Sequence, residues 1–474
     1  MPALPLTDTT PVEGGAAATP SRTAEASPDR PAWSPSALLV LGWVAAATVL
    51  LLLRQPGHAQ WDTLWQEDGG VFLSDAYELP WLTTLVSDYN GYLHVVARLL
   101  VLPAAAVPVP MAADVVAVLA SLTVALVSAY VFWASGALLG TLWARAVLAA
   151  LVVVLPAAGY EVAGNLANLH WYLDFACLMA LARPHRTRAA FGVDLAVVLL
   201  AVLSDPLTGL LLPVAAWAAW RGRLRDRVVV AGYVAALAVQ AVLGALADSP
   251  DPYGPVVLTE LGVFYALRVA GSLLVGDAYL DEGVRGLGAP FVRGALVVVA
   301  ALMVYGVAAP GADAARRLLV ATCAGLSGVF LAMPLLLRGT GGPITDVTFT
   351  LNNSRYTLVP ILLLVLAVLV TLDRGDAWLR GRRLVEVRVL ATVWFAAAVL
   401  TSWSVFSVGT AGPSWDAALE QARADCAAGR PGPVVMDDPA NGFNVMPEGY
   451  VRVPIAPAID PPPFVTTVPC ARLR

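Results

Sequence analysis

Two carboxylates stand side by side at Glu67-Asp68, within an acidic, aromatic-rich run from Trp61 to Gly70 that follows the first long apolar stretch of the chain. A charge near a bilayer costs a few kcal/mol unless it faces water, a partner or a substrate, so an ionisable cluster there is a functional-site hypothesis by default. On a helix, residues three and four apart share a face and immediate neighbours do not. Glu67 and Asp68 would then take different tasks, one accepting a proton and the other orienting a substrate hydroxyl or a metal. The competing reading is a helix cap or a solvated loop acid, and it suits nearby Asp62 and Asp75 better than the pair.

A cation complements these acids. Asn352-Asn353-Ser354-Arg355-Tyr356 opens the late apolar run 357 to 372, with Pro360 in its first turn. An arginine at such a boundary can clamp a phosphate with two parallel hydrogen bonds, helped by the backbone N–H groups of a helix start. Snorkelling of the guanidinium to lipid headgroups is the alternative. Two further groups could line a cleft for sugar hydroxyls and ring faces: Tyr89, Asn90, Tyr92, His94 and Arg98, then Tyr160, Glu161, Asn165, Asn168, His170 and Trp171. An interfacial aromatic belt with turn-forming Asn would show the same residues.

His94 and His170 lack a partner at metal-ligand spacing, which predicts no zinc site. Asp205, in Ser-Asp-Pro, reads as a tight-turn acid. Asp277, Asp281 and Glu282 leave room for a divalent cation, although their spacing matches no calcium loop; no cofactor is otherwise indicated. Gly339-x-Gly341-Gly342 lacks the Lys and the preceding strand of a phosphate loop, and no Gly-x-Ser-x-Gly elbow suggests a hydrolase.

The elements that must position these residues are membrane helices. With 58% hydrophobic and 13% charged residues among 474, and a mean hydropathy of +0.73, the chain departs from soluble domains, which carry about 25% charge. The expected fold is an all-α polytopic membrane protein. The net charge of −5 argues against nucleic-acid binding, which usually needs a basic face.

A span needs about 20 apolar residues, which predicts eleven transmembrane helices near 36–53, 112–133, 141–158, 171–183, 189–203, 206–220, 227–247, 291–309, 318–337, 357–372 and 389–409. Arginines collect in the loops 183–188, 221–227, 316–317 and 374–388, the expected cytoplasmic side. That puts the N-terminus in the cytoplasm, the C-terminus outside the cell membrane, and the acidic and aromatic loops on the outer face. Residues 1–32 read as a disordered tail, because their polar, Pro-rich composition cannot bury a core. The transmembrane domain then covers 33–409. Its first outer loop, 54–111, includes the apolar stretch 91–110, which Arg98 and three prolines mark as re-entrant rather than spanning. Residues 410–474 read as a small extracytoplasmic domain. Cys426 and Cys470 flank its Pro-rich segment and are expected to pair, since disulfides persist outside; Cys177 and Cys323 read as small buried hydrophobes.

An acidic pair in a long first outer loop, a late Arg-Tyr-x-x-x-Pro (Arg355, Tyr356, Pro360) and a small outer C-terminal domain resemble the GT-C superfamily of integral-membrane glycosyltransferases. Where many members show Asp-Glu or Asp-Asp, this chain has Glu-Asp. The resemblance implies inverting transfer from a polyprenyl-phosphate sugar to a cell-envelope glycan or lipid acceptor, beside membrane lipid. Glu67 or Asp68 would be the base, and Arg355 with Tyr356 would bind the donor phosphate. A lipid-linked glycan polymerase or ligase would instead gather two or more outer arginines, such as Arg98, Arg268 and Arg355. A transporter or flippase would place charges or broken helices near the bilayer midplane.

Overall fold

The computed structural model describes residues 36–54, 60–158, 161–185, 187–247, 258–309, 312–338, 354–374, 381–403, 414–429, 450–454 and 465–473. The expected tail 1–32, Tyr160 and Asn352-Asn353 lie outside these ranges.

Helix α1 (Ala37–Leu52) leads into the first loop, which holds a π-helical turn (Asp68–Leu73), α2 (Ser74–Glu78), α3 (Trp81–Val86), a hairpin of β1 (Asp88–Tyr89) and β2 (Tyr92–Leu93), and α4 (Val95–Ala106). There follow α5 (Ala112–Ala134), α6 (Leu142–Val154), α7 (Leu169–Ala182), α8 (Arg188–Val202), a 3₁₀ segment (Pro206–Leu211) running into α9 (Leu212–Arg221), and α10 (Leu224–Leu246). The second half contains α11 (Leu258–Phe264), a π-helical stretch (Tyr265–Gly271), α12 (Ser272–Val275), α13 (Leu280–Leu287), α14 (Ala289–Ala308), α15 (Ala314–Arg338), α16 (Leu358–Arg374) and α17 (Arg382–Thr401). Last come α18 (Trp415–Ala427) and the antiparallel pair β3 (Tyr450–Pro454) and β4 (Val465–Pro469).

Among the described residues, six helices are long and apolar enough to cross a membrane: those at Val109–Ala137, Leu224–Leu246, Ala289–Ala308, Ala314–Leu337, Ser354–Asp373 and Arg382–Thr401. The other five expected spans are helices of 10 to 16 residues. The segment 206–220, expected as one helix, starts at Pro206 and divides into its 3₁₀ and α parts next to Pro213, which has no N–H to continue the ladder.

Helix α16 is central: 89% of its apolar window is buried, against 6% for α17. That contrast follows from composition. A helix that is apolar all round suits either the middle of a bundle or a lipid face, and Val385, Val389, Leu390 and Val393 of α17 point outward. Between helices, lipid supplies no hydrophobic drive, so small residues and polar stitches do the packing. On α5, Ala113, Ala117, Ala120 and Ser121 are all buried. One stitch joins three helices: Trp43 Nε1 donates to Ser128 Oγ (3.0 Å), which donates to the Ala149 carbonyl (2.7 Å).

The chain end closes over the first loop. Trp415 Nε1 donates to the Val109 carbonyl (3.0 Å), Asp62 accepts from Asp416 N (3.1 Å), and Ser74 Oγ accepts from Thr467 N (2.9 Å). Cys426 and Cys470 are disulfide-bonded, with Cα atoms 5.7 Å apart; Cys177 and Cys323 are buried free thiols.

Candidate functional site

Glu67 ends the short helical lead into the π-helical turn, and Asp68 begins that turn. Successive side chains point in different directions there, and the two acids part. Asp68 turns inward, fully buried, and accepts from Leu166 N (2.7 Å) and Ala167 N (2.8 Å). Burial pushes its pKa up to about 8, against the two backbone bonds, with the Glu67 charge adding to the rise. Glu67 is half-buried. Its Oε2 accepts no hydrogen bond from the described residues, and it lies within electrostatic reach of Arg355.

The loop that receives Asp68 is built by its own polar side chains. Asn165 Nδ2 and Asn168 Nδ2 both donate to the Glu161 carbonyl (2.6 and 3.1 Å), and Asn165 Oδ1 accepts from Asn168 N (2.9 Å). Gly164 takes φ +78°, and a Cβ there would stand 2.5 Å from the Gln60 side chain. Only glycine adopts that backbone beside so close a neighbour without strain. The amides of Asn165 and Asn168, expected to meet sugar hydroxyls, are thus occupied in holding Leu166 N and Ala167 N toward Asp68.

Asn90 (φ 57°) and Gly91 (φ 84°) form the two-residue turn of the β1–β2 hairpin, since paired positive φ values match the twist of a hairpin. The stretch 91–110 is therefore not one helix. Helix α4 starts only at Val95 and runs 12 residues, about 18 Å at 1.5 Å per residue, short of the ~30 Å hydrocarbon core. Buried Gln240 holds the hairpin down, accepting from Leu93 N (3.0 Å) and donating to the Leu93 and Val202 carbonyls.

Tyr89, Tyr92 and Phe72 surround His94, with ring centroids 5.7, 4.2 and 5.4 Å away. The row continues through His170 (5.9 Å from His94), Trp171 (4.6 Å from His170) and Tyr356 (5.5 Å from Trp171). Arg98 stands apart. It is fully buried, pairs with Asp75 (2.7 Å), donates to the Thr84 and Asp88 carbonyls, and lies 5.3 Å from the Phe72 ring. Its charge is engaged within the first loop, and Asp75 is its counter-ion.

Arg355 lies in the 3₁₀ turn Ser354–Thr357 that starts α16. Pro360 follows in the first turn, where a missing N–H costs nothing, and its carbonyl accepts from Ser327 Oγ (3.0 Å). Glu161 Oε2 caps this start, accepting from Arg355 N (2.9 Å) and Ser354 Oγ (3.1 Å). Burial pushes the Glu161 carboxyl up to about 7, opposed first by the Arg355 charge. The Arg355 guanidinium is 5.3 Å from the Tyr356 ring. A second arginine, Arg268, also acts on Glu161 electrostatically. It is buried, 3.5 Å from Asp277, and its Nε and Nη2 donate to no described residue.

The structure thus brings together Glu67, Arg355, Tyr356, Tyr89, His94 and His170, and adds Glu161, Trp171 and Arg268, whereas Asn90 serves the hairpin turn. It turns Asp68, Arg98, Asn165 and Asn168 to internal bonds. The expectation that His170 has no partner at metal-ligand spacing is corrected: Asp174 lies four residues on along α7, and His170 Nδ1 is 2.5 Å from Asp205 Oδ2. The i,i+4 spacing was readable; the approach of Asp205 from another segment was not.

No protein-family model matches the chain, and no curated protein matches it. Among solved structures it is similar to the arabinofuranosyltransferase AftD from mycobacteria, at 15% identity and a TM-score of 0.46, covering 85% of this chain and 30% of that one. An arginine-to-serine variant of the same protein matches at 19% identity and a TM-score of 0.45, over 84% and 30%. The chain therefore spans about 30% of the length of the structures it matches.

Proposed function

We propose that the chain is a membrane glycosyltransferase that moves a sugar from a polyprenyl-phosphate donor to a glycan or lipid acceptor of the cell envelope, on the outer face and with inversion. Glu67 is the base in this reading. The observation that carries it is the contrast within the acidic pair: both oxygens of Asp68 are occupied by backbone N–H groups, whereas Glu67 Oε2 accepts none from the described residues and Glu67 lies within reach of the Arg355 charge.

The acceptor hydroxyl attacks the anomeric carbon, its proton passes to Glu67, and the bond to the phosphate oxygen breaks with the electron pair leaving on the polyprenyl phosphate. Arg355 stabilises that leaving charge, an interaction that strengthens where water is scarce. Glu161 positions Arg355 by capping its backbone. Tyr89 and Tyr92, half-buried beside His94, offer ring faces to the sugar. Asp68 positions rather than reacts.

The test is transfer from a polyprenyl-phosphate sugar in membranes carrying Glu67→Gln or Arg355→Ala. A positioned base contributes about 10²–10⁴ in rate, so Glu67→Gln should lose at least a hundredfold; wild-type turnover in both variants refutes the mechanism. A lipid-linked glycan polymerase or ligase is the second reading, favoured by Arg268 beside Arg355 around Glu161. It is distinguished by transfer of a whole glycan from a lipid diphosphate, with Arg268→Ala as damaging as Arg355→Ala.

A further inference from the structure

Behind the aromatic row, three buried side chains from two segments converge. His170, Asp174 and Asp205 each offer one ligand atom, and these atoms lie within 4.8 Å of one another. Their placement has local causes. His170 and Asp174 are four residues apart on α7 and share a face. Asp205 caps the 3₁₀ segment, with Oδ1 accepting from Leu207 N (2.8 Å), so that Oδ2 turns toward His170.

Asp174 is the anomaly. It is fully buried, and neither of its oxygens accepts a hydrogen bond from an N–H or hydroxyl group of any described residue. What lies against it is the Asp205 carboxyl. Two adjoining buried carboxylates do not both stay ionised unless something positive lies between them. A shared proton leaves the cluster with one net negative charge when His170 is neutral. A divalent cation leaves it neutral and supplies a partner to the orphaned oxygens of Asp174.

We propose that His170, Asp174 and Asp205 form a divalent-cation site, with zinc the ion that one imidazole and two carboxylates suit best. Imidazole nitrogen and carboxylate oxygen are both ordinary zinc donors, and three protein ligands with one position left open is the pattern of reactive zinc centres. Bonds of about 2.0–2.2 Å place ligand atoms roughly 3–4 Å apart, so small side-chain rotations complete the site. His94, Leu166, Ala167 and Ser204 pack around His170 beside it. The site involves neither Glu67 nor Arg355 and needs no sugar donor, so it stands or falls separately from the transfer reaction.

The experiment uses the full chain in detergent or nanodiscs, stripped with chelator and reloaded with Zn²⁺ alone. The expected result is about one Zn²⁺ per chain surviving gel filtration, as a single site requires, with affinity at least tenfold weaker in Asp174→Asn and His170→Gln. A stripped wild type that retains no Zn²⁺, or variants that retain it as tightly, overturns the proposal in favour of the shared proton. Should a variant fail to fold, Co²⁺ loaded into the wild type decides. Visible absorption of a four- or five-coordinate site supports the assignment, and a spectrum unchanged from aqueous Co²⁺ refutes it.

Discussion

Replacing Asp68 with Asn and Glu67 with Gln should separate architecture from chemistry within one dipeptide. Asp68 presents an acceptor to each of two N–H groups, Leu166 at 2.7 Å and Ala167 at 2.8 Å. Asparagine has one oxygen, so its amide nitrogen must face the other N–H, and one buried donor goes unsatisfied at about 1–3 kcal/mol. The loss of a buried acid partly offsets this, because burial already holds Asp68 near a pKa of about 8. A net destabilisation of about 2 kcal/mol is expected, read as an unfolding temperature lower by a few degrees and as faster proteolysis in the 161–168 loop. Glu67→Gln removes no described hydrogen bond, so its stability should stay within about 0.5 kcal/mol of wild type while transfer falls at least a hundredfold. Thermal unfolding in detergent and transfer in membranes are measured on the same preparations. If Asp68→Asn unfolds like wild type yet is inactive, and Glu67→Gln keeps more than a tenth of the activity, the roles assigned to the two acids are reversed.

Other outcomes follow from the same contacts. Arg98→Ala leaves Asp75 without its counter-ion and two loop carbonyls without a donor; a loss of about 3 kcal/mol is expected, measured by thermal unfolding, and a change below about 0.5 kcal/mol refutes the pairing. Stability should fall as pH rises from about 4 to about 8. Asp68 and Glu161 hold their protons up to about 8 and about 7 in the fold, above ordinary carboxylates. Their stabilising contribution is therefore full below the unfolded values and lost as pH climbs through the folded ones; unfolding temperatures that rise over this window contradict the assignment. Reducing Cys426–Cys470 should weaken the 414–473 segment by about 2–4 kcal/mol, seen as faster trypsin cleavage there, and equal cleavage with and without reductant argues against it.

The long apolar runs were legible because a bilayer imposes length and composition, and α5, α10, α14, α15, α16 and α17 lie where those runs fall. Arg355 was legible for the same reason, as a charge at the start of a run. Which of two adjacent acids turns inward was not. That depends on Leu166 and Ala167, 98 and 99 residues away, and no local pattern encodes it. Asn165 and Asn168 misled because an amide that builds a turn and one that binds a sugar are the same residue type, differing only in where its partner lies. The Asn90-Gly91 turn carried a readable signal, obscured by the apolar stretch that follows it.

The clasp between the first loop and the last segment has a consequence for how the protein is made. Ser74 and Thr467 are 393 residues apart, which at 5–20 residues per second corresponds to roughly 20–80 s of translation. Through that interval the acid-bearing loop has been synthesised but cannot yet engage Trp415, Asp416 or Thr467. A ribosome that stalls between the two would leave the helices made and the first loop unlatched. The contact of Thr467 with Ser74 is thus a late folding event, made only after every helix between them has been synthesised.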